Sequence, residues 1–173
     1  NEGAAIALGA GYSIATNKIP LIYMQNSVLG NAINPLMSLA DKEVYAIPMI
    51  LLIGWRGEPG VKDEPQHIKQ GRITPDLLET MEIPYTVLDV NSDYKEVVQN
   101  AVKKTISNSS PVAILVRKGT FENYKLRKIK SNSYTLSREQ ALELVLDKIP
   151  SDSIIVSTTG MLSRELFEIR ERK

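Results

Sequence analysis

The residues of this chain that could do chemistry are few and widely spaced. Glu2 opens a run rich in glycine and alanine, where the helix dipole favours a carboxylate whatever its function. His67 is the single histidine, and such a residue is more often a packing or surface residue than a base. Thr158, Thr159 and Gly160 lie between a predicted strand and a predicted helix, where a turn either binds a phosphate or simply caps the helix. Taken alone, these residues leave the chemistry undecided.

The composition excludes several kinds of chemistry. The 173 residues contain no cysteine, which rules out a disulfide framework, a thiolate metal site and a cysteine nucleophile. One histidine excludes a multi-histidine metal site within the chain. Twenty-one basic and twenty acidic residues leave a net charge of +1, unlike the basic surplus of nucleic-acid-binding proteins. The longest apolar run, residues 47–53, is too short to cross a bilayer, and we expect a soluble, cytoplasmic protein.

Hydrophobic patterns predict the elements that must position these residues. Asn1 can cap a first helix over residues 2–15, whose three glycines suit a place where another group approaches the backbone closely. Apolar runs predict buried strands, and amphipathic stripes predict helices. The predicted strands are 20–25, 46–55, 85–89 and 111–117, and the predicted helices after the first are 29–40, 65–81 and 92–106, the last capped by Ser92.

This alternation of strands and helices predicts an α/β fold with a parallel sheet and helices on both faces. Ligands of such sheets bind at the carboxyl ends of the strands. The loops after Gln25, Gly54 and Arg117 are therefore where we expect a binding site.

Beyond residue 118 the sequence predicts a linker and the start of a second α/β unit. Basic residues are frequent over 119–134, where a linker is favoured over a nucleic-acid-binding strip. Thr135 or Ser137 caps a helix predicted to run to residue 149, and a predicted strand over 153–157 leads into the Thr-Thr-Gly turn and another helix. The chain opens at a helix start without an initiator methionine and closes inside a helix, so we expect a piece of a longer polypeptide.

Three segments carry a resemblance to a known family. The opening NEGAAIALGAGY resembles the glutamate-containing helix start of thiamine-diphosphate-dependent decarboxylases. Residues 23–36, YMQNSVLGNAINPL, and 54–67, GWRGEPGVKDEPQH, are similar to the phosphonopyruvate decarboxylases and the closely related sulfopyruvate decarboxylases. The similarity covers essentially the whole chain, including residues 157–160 and 163–166. Val28 stands where the family pattern has glycine, and its larger side chain would narrow the pocket.

The resemblance implies an arrangement of domains that is truncated at both ends. Residues 1–118 would form a pyrimidine-binding domain lacking its N-terminal start, 119–134 a linker, and 135–173 a connecting helix and the beginning of a diphosphate-binding domain. Thiamine diphosphate and Mg²⁺ are the implied cofactors, with the metal ligands in a Gly-Asp-Gly motif beyond residue 173. The implied assembly is a homo-oligomer with active sites between subunits, and the chain by itself is expected to be inactive.

The resemblance also implies a role for each candidate residue. Glu2 would be catalytic, because its carboxylate bonded to the aminopyrimidine ring would promote loss of the thiazolium C2 proton and so form the reactive ylid. The implied cofactor-binding residues are Glu2, Asn31, Thr158, Thr159 and Gly160. The implied substrate-binding residues are Gln25, Asn26, Ser27, Arg56, Lys62 and His67. Arg56 and Lys62 are equally well interpreted as solvated loop charges.

The implied reaction is the non-oxidative decarboxylation of 3-phosphonopyruvate to phosphonoacetaldehyde and CO₂, in phosphonate biosynthesis of the 2-aminoethylphosphonate type. One alternative substrate is sulfopyruvate, which carries a sulfonate in place of the phosphonate. An alternative of another class is a non-catalytic α/β binding or regulatory module, in which Glu2 is only a helix-start carboxylate.

Overall fold

A parallel sheet of four strands forms the centre of the first part of the chain. The computed structural model describes residues 1–125, 133–158 and 160–172. The strands are Leu21–Gln25 (β1), Met49–Gly54 (β2), Tyr85–Leu88 (β3) and Pro111–Val116 (β4). They lie in the order β1-β2-β4-β3, with Gln25 beside Gly54 and Gly54 beside Val116. The three strand ends that precede the predicted site loops therefore lie side by side at one edge of the sheet.

Helices pack on both faces of this sheet, which confirms the predicted α/β fold. The helices of this part are Glu2–Thr16 (α1), Pro65–Thr80 (α2) and Tyr94–Asn108 (α3), together with a helical segment over residues 26–40. α1, α2 and the 26–40 segment cover one face, around Leu51, Ile53 and Leu115. α3 covers the other face, around Ile50 and Ile114. Successive residues of β2 and β4 thus point into two separate cores, which explains their continuous apolar runs.

The predicted helix over residues 29–40 is wrong in its start and in its kind. The helical conformation begins at Asn26 and changes from a 3₁₀ helix (Asn26–Ala32) through one α-turn (Ile33–Pro35) to a π-helix (Leu36–Ala40). Pro35 has no N–H to donate, so an unbroken α-helical ladder cannot run through it. Asn26 and Ser27 therefore belong to the first turn of this helical segment.

The prediction that Ser92 caps α3 is also wrong. The Asp93 carboxylate accepts hydrogen bonds from the N–H groups of Lys95 (2.9 Å) and Glu96 (3.2 Å), and so it caps the helix. The Ser92 hydroxyl instead donates to Oδ1 of Asp89 (3.0 Å), in the turn after β3. An aspartate cap additionally places a negative charge at the positive end of the helix dipole, which a serine cannot do.

The chain divides into two compact units, residues 1–123 and residues 124 onward. The second unit contains the helices Arg138–Leu146 (α4) and Met161–Arg172 (α5). Nε of Arg138 donates to Oε2 of Glu165 (2.7 Å), which joins the two helices. Ser137, one of the two predicted caps, accepts a hydrogen bond at the start of α4, but α4 ends three residues before the predicted residue 149. No helix among the described residues has both the length and the apolar character needed to span a lipid bilayer.

The predicted strand over residues 153–157 does not form. Ile154 and Val156 are 94% and 91% exposed, and no strand lies beside them among the residues described after 124. Their β-branched side chains favour an extended backbone, but a strand needs a neighbour for its N–H and C=O groups. The assignment of the two units to pyrimidine-binding and diphosphate-binding domains stays a prediction.

Candidate functional site

Glu2 lies in the first turn of α1, beside the 26–40 segment. Asn1 caps this helix by accepting a hydrogen bond from the N–H of Ala4 (3.1 Å). The side-chain amide of Asn31 donates to Oε2 of Glu2 (3.2 Å). This bond, with a further contribution from the backbone N–H of Glu2, lowers the pKa of the carboxyl group. Glu2 is half-buried, and it is therefore an oriented, ionised hydrogen-bond acceptor with part of its surface exposed.

Gly3 allows the 26–40 segment to approach this helix start. A Cβ atom at Gly3 would lie 2.9 Å from the backbone carbonyl oxygen of Asn31. Gly9 has a similar role, because a Cβ there would lie 2.7 Å from the Ile22 side chain, whereas Gly11 faces open space. Two of the three glycines thus serve the protein's own packing, and the approach at Gly3 brings Asn31 within reach of Glu2.

Asn26 clamps the end of β1 to the loop after β2. Its buried amide Nδ2 donates to the carbonyl oxygen of Arg56 (2.9 Å) and to the hydroxyl of Thr74 (2.9 Å). Its Oδ1 accepts from the N–H of Arg56 (2.7 Å). One side chain therefore satisfies both backbone groups of Arg56 and ties the loop to α2. The amide of Asn26 is engaged with protein groups at both its nitrogen and its oxygen.

Asp63 is the centre of a polar cluster in that loop. Its carboxylate accepts hydrogen bonds from Nε of Arg56 (2.8 Å) and from the N–H groups of Gly57 (2.7 Å) and Glu64 (2.8 Å). Nδ1 of His67 lies 3.2 Å from Oδ1 of the same carboxylate. The Arg56 guanidinium, followed by the backbone donors, holds the pKa of Asp63 far below its usual value. Two of the predicted substrate-binding residues are thus held by a residue that the sequence analysis did not single out.

The loop after β4 reaches the same edge of the sheet through Arg117. Its Nε lies 2.9 Å from Oε1 of Glu58, in the loop after β2. Its Nη1 lies 3.5 Å from Oδ2 of Asp89, which follows β3. Together with the Asn26 clamp, these pairs confirm that the loops after the strands gather at the carboxyl edge.

The loop after β2 also crosses α2, and at the crossing Gly57 of the loop lies against Gly71 of the helix. Gly57 has a φ of +68°, and a Cβ atom at Gly71 would lie 1.9 Å from the Gly57 carbonyl oxygen. Pro75 has no N–H to donate to the Gly71 carbonyl one turn earlier, and Nε1 of Trp55 donates to that carbonyl instead (2.8 Å). Direct backbone contact therefore fixes the loop against α2.

Comparison with known proteins identifies the relatives of this chain. The phosphonopyruvate decarboxylase of Streptomyces viridochromogenes is 33% identical over 187 aligned positions, which cover 99% of this chain and 46% of that protein. The phosphonopyruvate decarboxylase of Streptomyces hygroscopicus is 32% identical with the same coverage. Sulfopyruvate decarboxylase subunit alpha of Methanococcus maripaludis is 38% identical over 115 positions, 66% of this chain and 65% of that subunit. No family model matches the chain.

The chain belongs to the family of the phosphonopyruvate and sulfopyruvate decarboxylases. This confirms the resemblance of the three sequence segments. The chain spans about half the length of the phosphonopyruvate decarboxylases that it matches (46%), and 65% of the sulfopyruvate decarboxylase subunit.

Further predicted site residues of this chain lie at or near the cleft between the 26–40 segment and α2. Ser27 and Asn31 line this cleft, which has a volume of about 430 Å³. The Ser27 hydroxyl donates to Oε1 of Gln25, and the Ser27 carbonyl oxygen accepts from Nε2 of Gln70 (3.0 Å). Val28 lines the same cleft and packs against the core, and the narrowing of the pocket by its side chain stays a prediction.

The remaining predicted site residues are Lys62, in the first unit, and residues 158–160, further along the chain. Lys62 is exposed in the loop after β2. Thr158 and Gly160 belong to the second unit, where the Ser163 hydroxyl donates to the Thr158 carbonyl oxygen, and Thr159 lies outside the described residues. Within the described ranges, no group of three or more acidic or histidine side chains is placed to hold a metal ion.

Two residues that form hydrogen bonds with predicted site residues, Asp63 and Thr74, were not predicted from the sequence. The signal for Asp63 was present, since an acidic residue lies seven positions after Arg56 and four before His67, at a helix start. Thr74 has no comparable signal, because its partner Asn26 is 48 residues away in the sequence.

Replacing Asn26 by alanine is expected to lower the free energy of unfolding by about 1–3 kcal/mol, because both backbone groups of Arg56 lose their partner. Urea unfolding followed by fluorescence of the single tryptophan, Trp55, measures this change. Asn91→Ala is the control, since Asn91 is exposed in the turn after β3 and its loss should cost less than about 0.5 kcal/mol. Equal unfolding midpoints for the two variants would refute the clamp.

Proposed function

We propose that this chain is the part of a thiamine-diphosphate-dependent decarboxylase that binds the pyrimidine end of the cofactor and the anionic tail of the substrate. The proposed reaction converts 3-phosphonopyruvate to phosphonoacetaldehyde and CO₂. The observation that carries the proposal is the ionised, partly exposed Glu2 carboxylate, which Asn31 orients at a helix start. The names of the relatives supply the reaction class.

The chain's own residues fit one end of this cofactor. Thiamine diphosphate supplies the electron sink that decarboxylation of a 2-oxo acid requires. The Glu2 carboxylate, as an ionised acceptor, binds a protonated ring nitrogen of the aminopyrimidine and holds that proton in place. Asn31 fixes the direction of this bond. We propose Thr158, Thr159 and Gly160 as binding residues for the diphosphate, and we assign no ligand of this chain to Mg²⁺.

The substrate's anionic tail is proposed to bind at the carboxyl edge of the sheet. The Arg56 guanidinium uses Nε and Nη2 for Asp63, which leaves Nη1 without a hydrogen-bond partner among the described residues. A charge-assisted bond from this nitrogen suits a phosphonate oxygen. Asn26 contributes by holding the Arg56 backbone. The further proposed donors are Gln25, Ser27, Lys62 and His67.

The active assembly is proposed to be a cytoplasmic homo-oligomer with sites between subunits, in phosphonate biosynthesis of the 2-aminoethylphosphonate type. Some relatives are named subunit alpha, and such a name supports a site shared with further polypeptide. We expect this chain alone to be inactive. The complete enzyme, meaning this chain with every further polypeptide of its assembly, is therefore the material for activity measurements.

Sulfopyruvate is the second candidate substrate, because the segment aligned with the Methanococcus subunit has the higher identity, 38% against 33%. A phosphonate can carry one more negative charge than a sulfonate, and a stronger charge-assisted bond to Arg56 follows from it. We therefore expect kcat/KM to be about tenfold higher for phosphonopyruvate.

The test is CO₂ release by the complete enzyme from phosphonopyruvate, sulfopyruvate and pyruvate, with thiamine diphosphate and Mg²⁺ added. Pyruvate lacks the anionic tail and is the control for its recognition. A preference for sulfopyruvate would replace the proposed substrate and leave the reaction standing. If pyruvate reacts best, or if no keto acid releases CO₂, the proposed function is wrong.

A further inference from the structure

The Asp63 carboxylate is nearly enclosed, with 8% of the side chain exposed, and its hydrogen-bond partners in the structure are donors. Arg56 and the backbone N–H groups of Gly57 and Glu64 supply most of these bonds. A carboxylate surrounded in this way can only be an acceptor. The carboxylate therefore fixes the position of each group that donates a hydrogen bond to it.

We propose that Asp63 is the positioning residue of this site: it holds the Arg56 guanidinium and the His67 imidazole as one unit, and it selects the His67 tautomer that carries hydrogen on Nδ1. The consequence for catalysis rests on the proposed function. The tautomer of His67 does not, because it follows from the hydrogen-bond geometry alone.

The tautomer follows from the contact between Asp63 and His67. A neutral imidazole carries hydrogen on one nitrogen, and the hydrogen bond made by one nitrogen decides the state of the other. Nδ1 faces a carboxylate oxygen at 3.2 Å and must donate to it. Nε2 is then the nitrogen with the lone pair, available to a second partner. Asp63 lies two residues before α2 and His67 lies in the first turn of α2, so the two side chains meet at the start of this helix.

The effect on Arg56 distinguishes positioning from simple neutralisation. Two nitrogens of the guanidinium bond to Asp63, which fixes the direction of the remaining Nη1. If Asp63 only neutralised Arg56, its removal would strengthen binding of an anionic substrate and lower KM. If Asp63 positions Arg56, removal of the carboxylate leaves the guanidinium without a fixed orientation toward the substrate, and KM rises.

Magic-angle-spinning ¹⁵N NMR of the histidine-labelled complete enzyme tests the tautomer, at about pH 9, where an ordinary imidazole is neutral. His67 is the single histidine of this chain, and the signal lost in His67→Gln assigns it. We expect hydrogen on Nδ1 in the wild type. In Asp63→Asn we expect this preference to be lost, because the NH₂ group of the new amide is itself a donor and faces groups that also donate. Hydrogen on Nε2 in the wild type would overturn the proposal, even if Asp63→Asn fails to fold.

The kinetic arm uses Asp63→Asn with Asp76→Asn as the matched control, since Asp76 is an exposed carboxylate on α2. We expect Asp63→Asn to lower kcat/KM by about 10- to 100-fold with a raised KM, and Asp76→Asn to leave both constants unchanged. A lowered or unchanged KM in Asp63→Asn would overturn the positioning role. A wild type with the Nδ1 tautomer but no decarboxylase activity would overturn the proposed function and leave Asp63 as the positioning residue.

Discussion

Glu2→Gln is expected to lower the turnover of the complete enzyme with phosphonopyruvate by about 10²- to 10⁴-fold, the range that acid–base catalysis contributes. Glutamine keeps the size of the side chain, and Asn31 can still donate to its carbonyl oxygen. A neutral amide, however, cannot stabilise a proton on the pyrimidine ring as a carboxylate does. The measurement is kcat at saturating thiamine diphosphate, with cofactor affinity determined separately by calorimetry.

Glu96→Gln is the matched control for this substitution. Glu2 and Glu96 both lie in the first turn of a helix, so both variants lose the same interaction with a helix dipole. Glu96 is exposed at the start of α3, and we expect its replacement to leave turnover unchanged. Wild-type turnover in both variants would show that Glu2 is only a helix-start carboxylate and does not activate the cofactor.

Gly71→Ala is expected to lower the free energy of unfolding by at least about 2 kcal/mol, because the added methyl group would strike the Gly57 carbonyl oxygen at 1.9 Å. Neither backbone segment can give way easily, since the Asn26 clamp and the Trp55 hydrogen bond hold the loop against α2. Alanine is the better helix former by about 1 kcal/mol, so a net loss shows that packing outweighs propensity. Urea unfolding followed by Trp55 fluorescence reports both stability and the loop contact.

Gly11→Ala provides the opposite case within the same fold. Gly11 is exposed in the middle of α1, and nothing lies within 4 Å of a Cβ atom there. We expect this variant to be stabilised by up to about 1 kcal/mol, because only helix propensity changes. If Gly71→Ala were also stabilised, the close crossing of loop and helix would be disproved.

The sequence was sufficient for features that depend on neighbouring residues. The apolar runs over β2 and β4 predicted buried parallel strands, because both faces of the sheet are covered and every side chain enters a core. The start of α1 was predictable for a similar reason, since Asn1 and Glu2 act within one turn of their own helix. Local chemistry of this kind is visible in a window of a few residues.

Contacts between residues far apart in the chain could not be predicted from the sequence. Asn26 was predicted to contact substrate, yet its hydrogen-bond partners lie 30 and 48 residues further along the chain, and only the folded sheet brings them together. The segment over 153–157 failed in the opposite direction: its local preference is for a strand, but a strand also requires a neighbour. In both cases a tertiary contact, present or missing, decided the outcome.

The Asn26 clamp has a consequence for substitutions at position 56. It grips the N–H and C=O of Arg56, which every residue except proline possesses, so the course of the loop does not require a particular side chain at position 56. Position 26 itself needs an acceptor and two donors on a short stem, a combination that asparagine alone provides. A different side chain at position 56, where the anionic tail of the substrate is proposed to bind, would therefore leave the two backbone bonds from Asn26 in place.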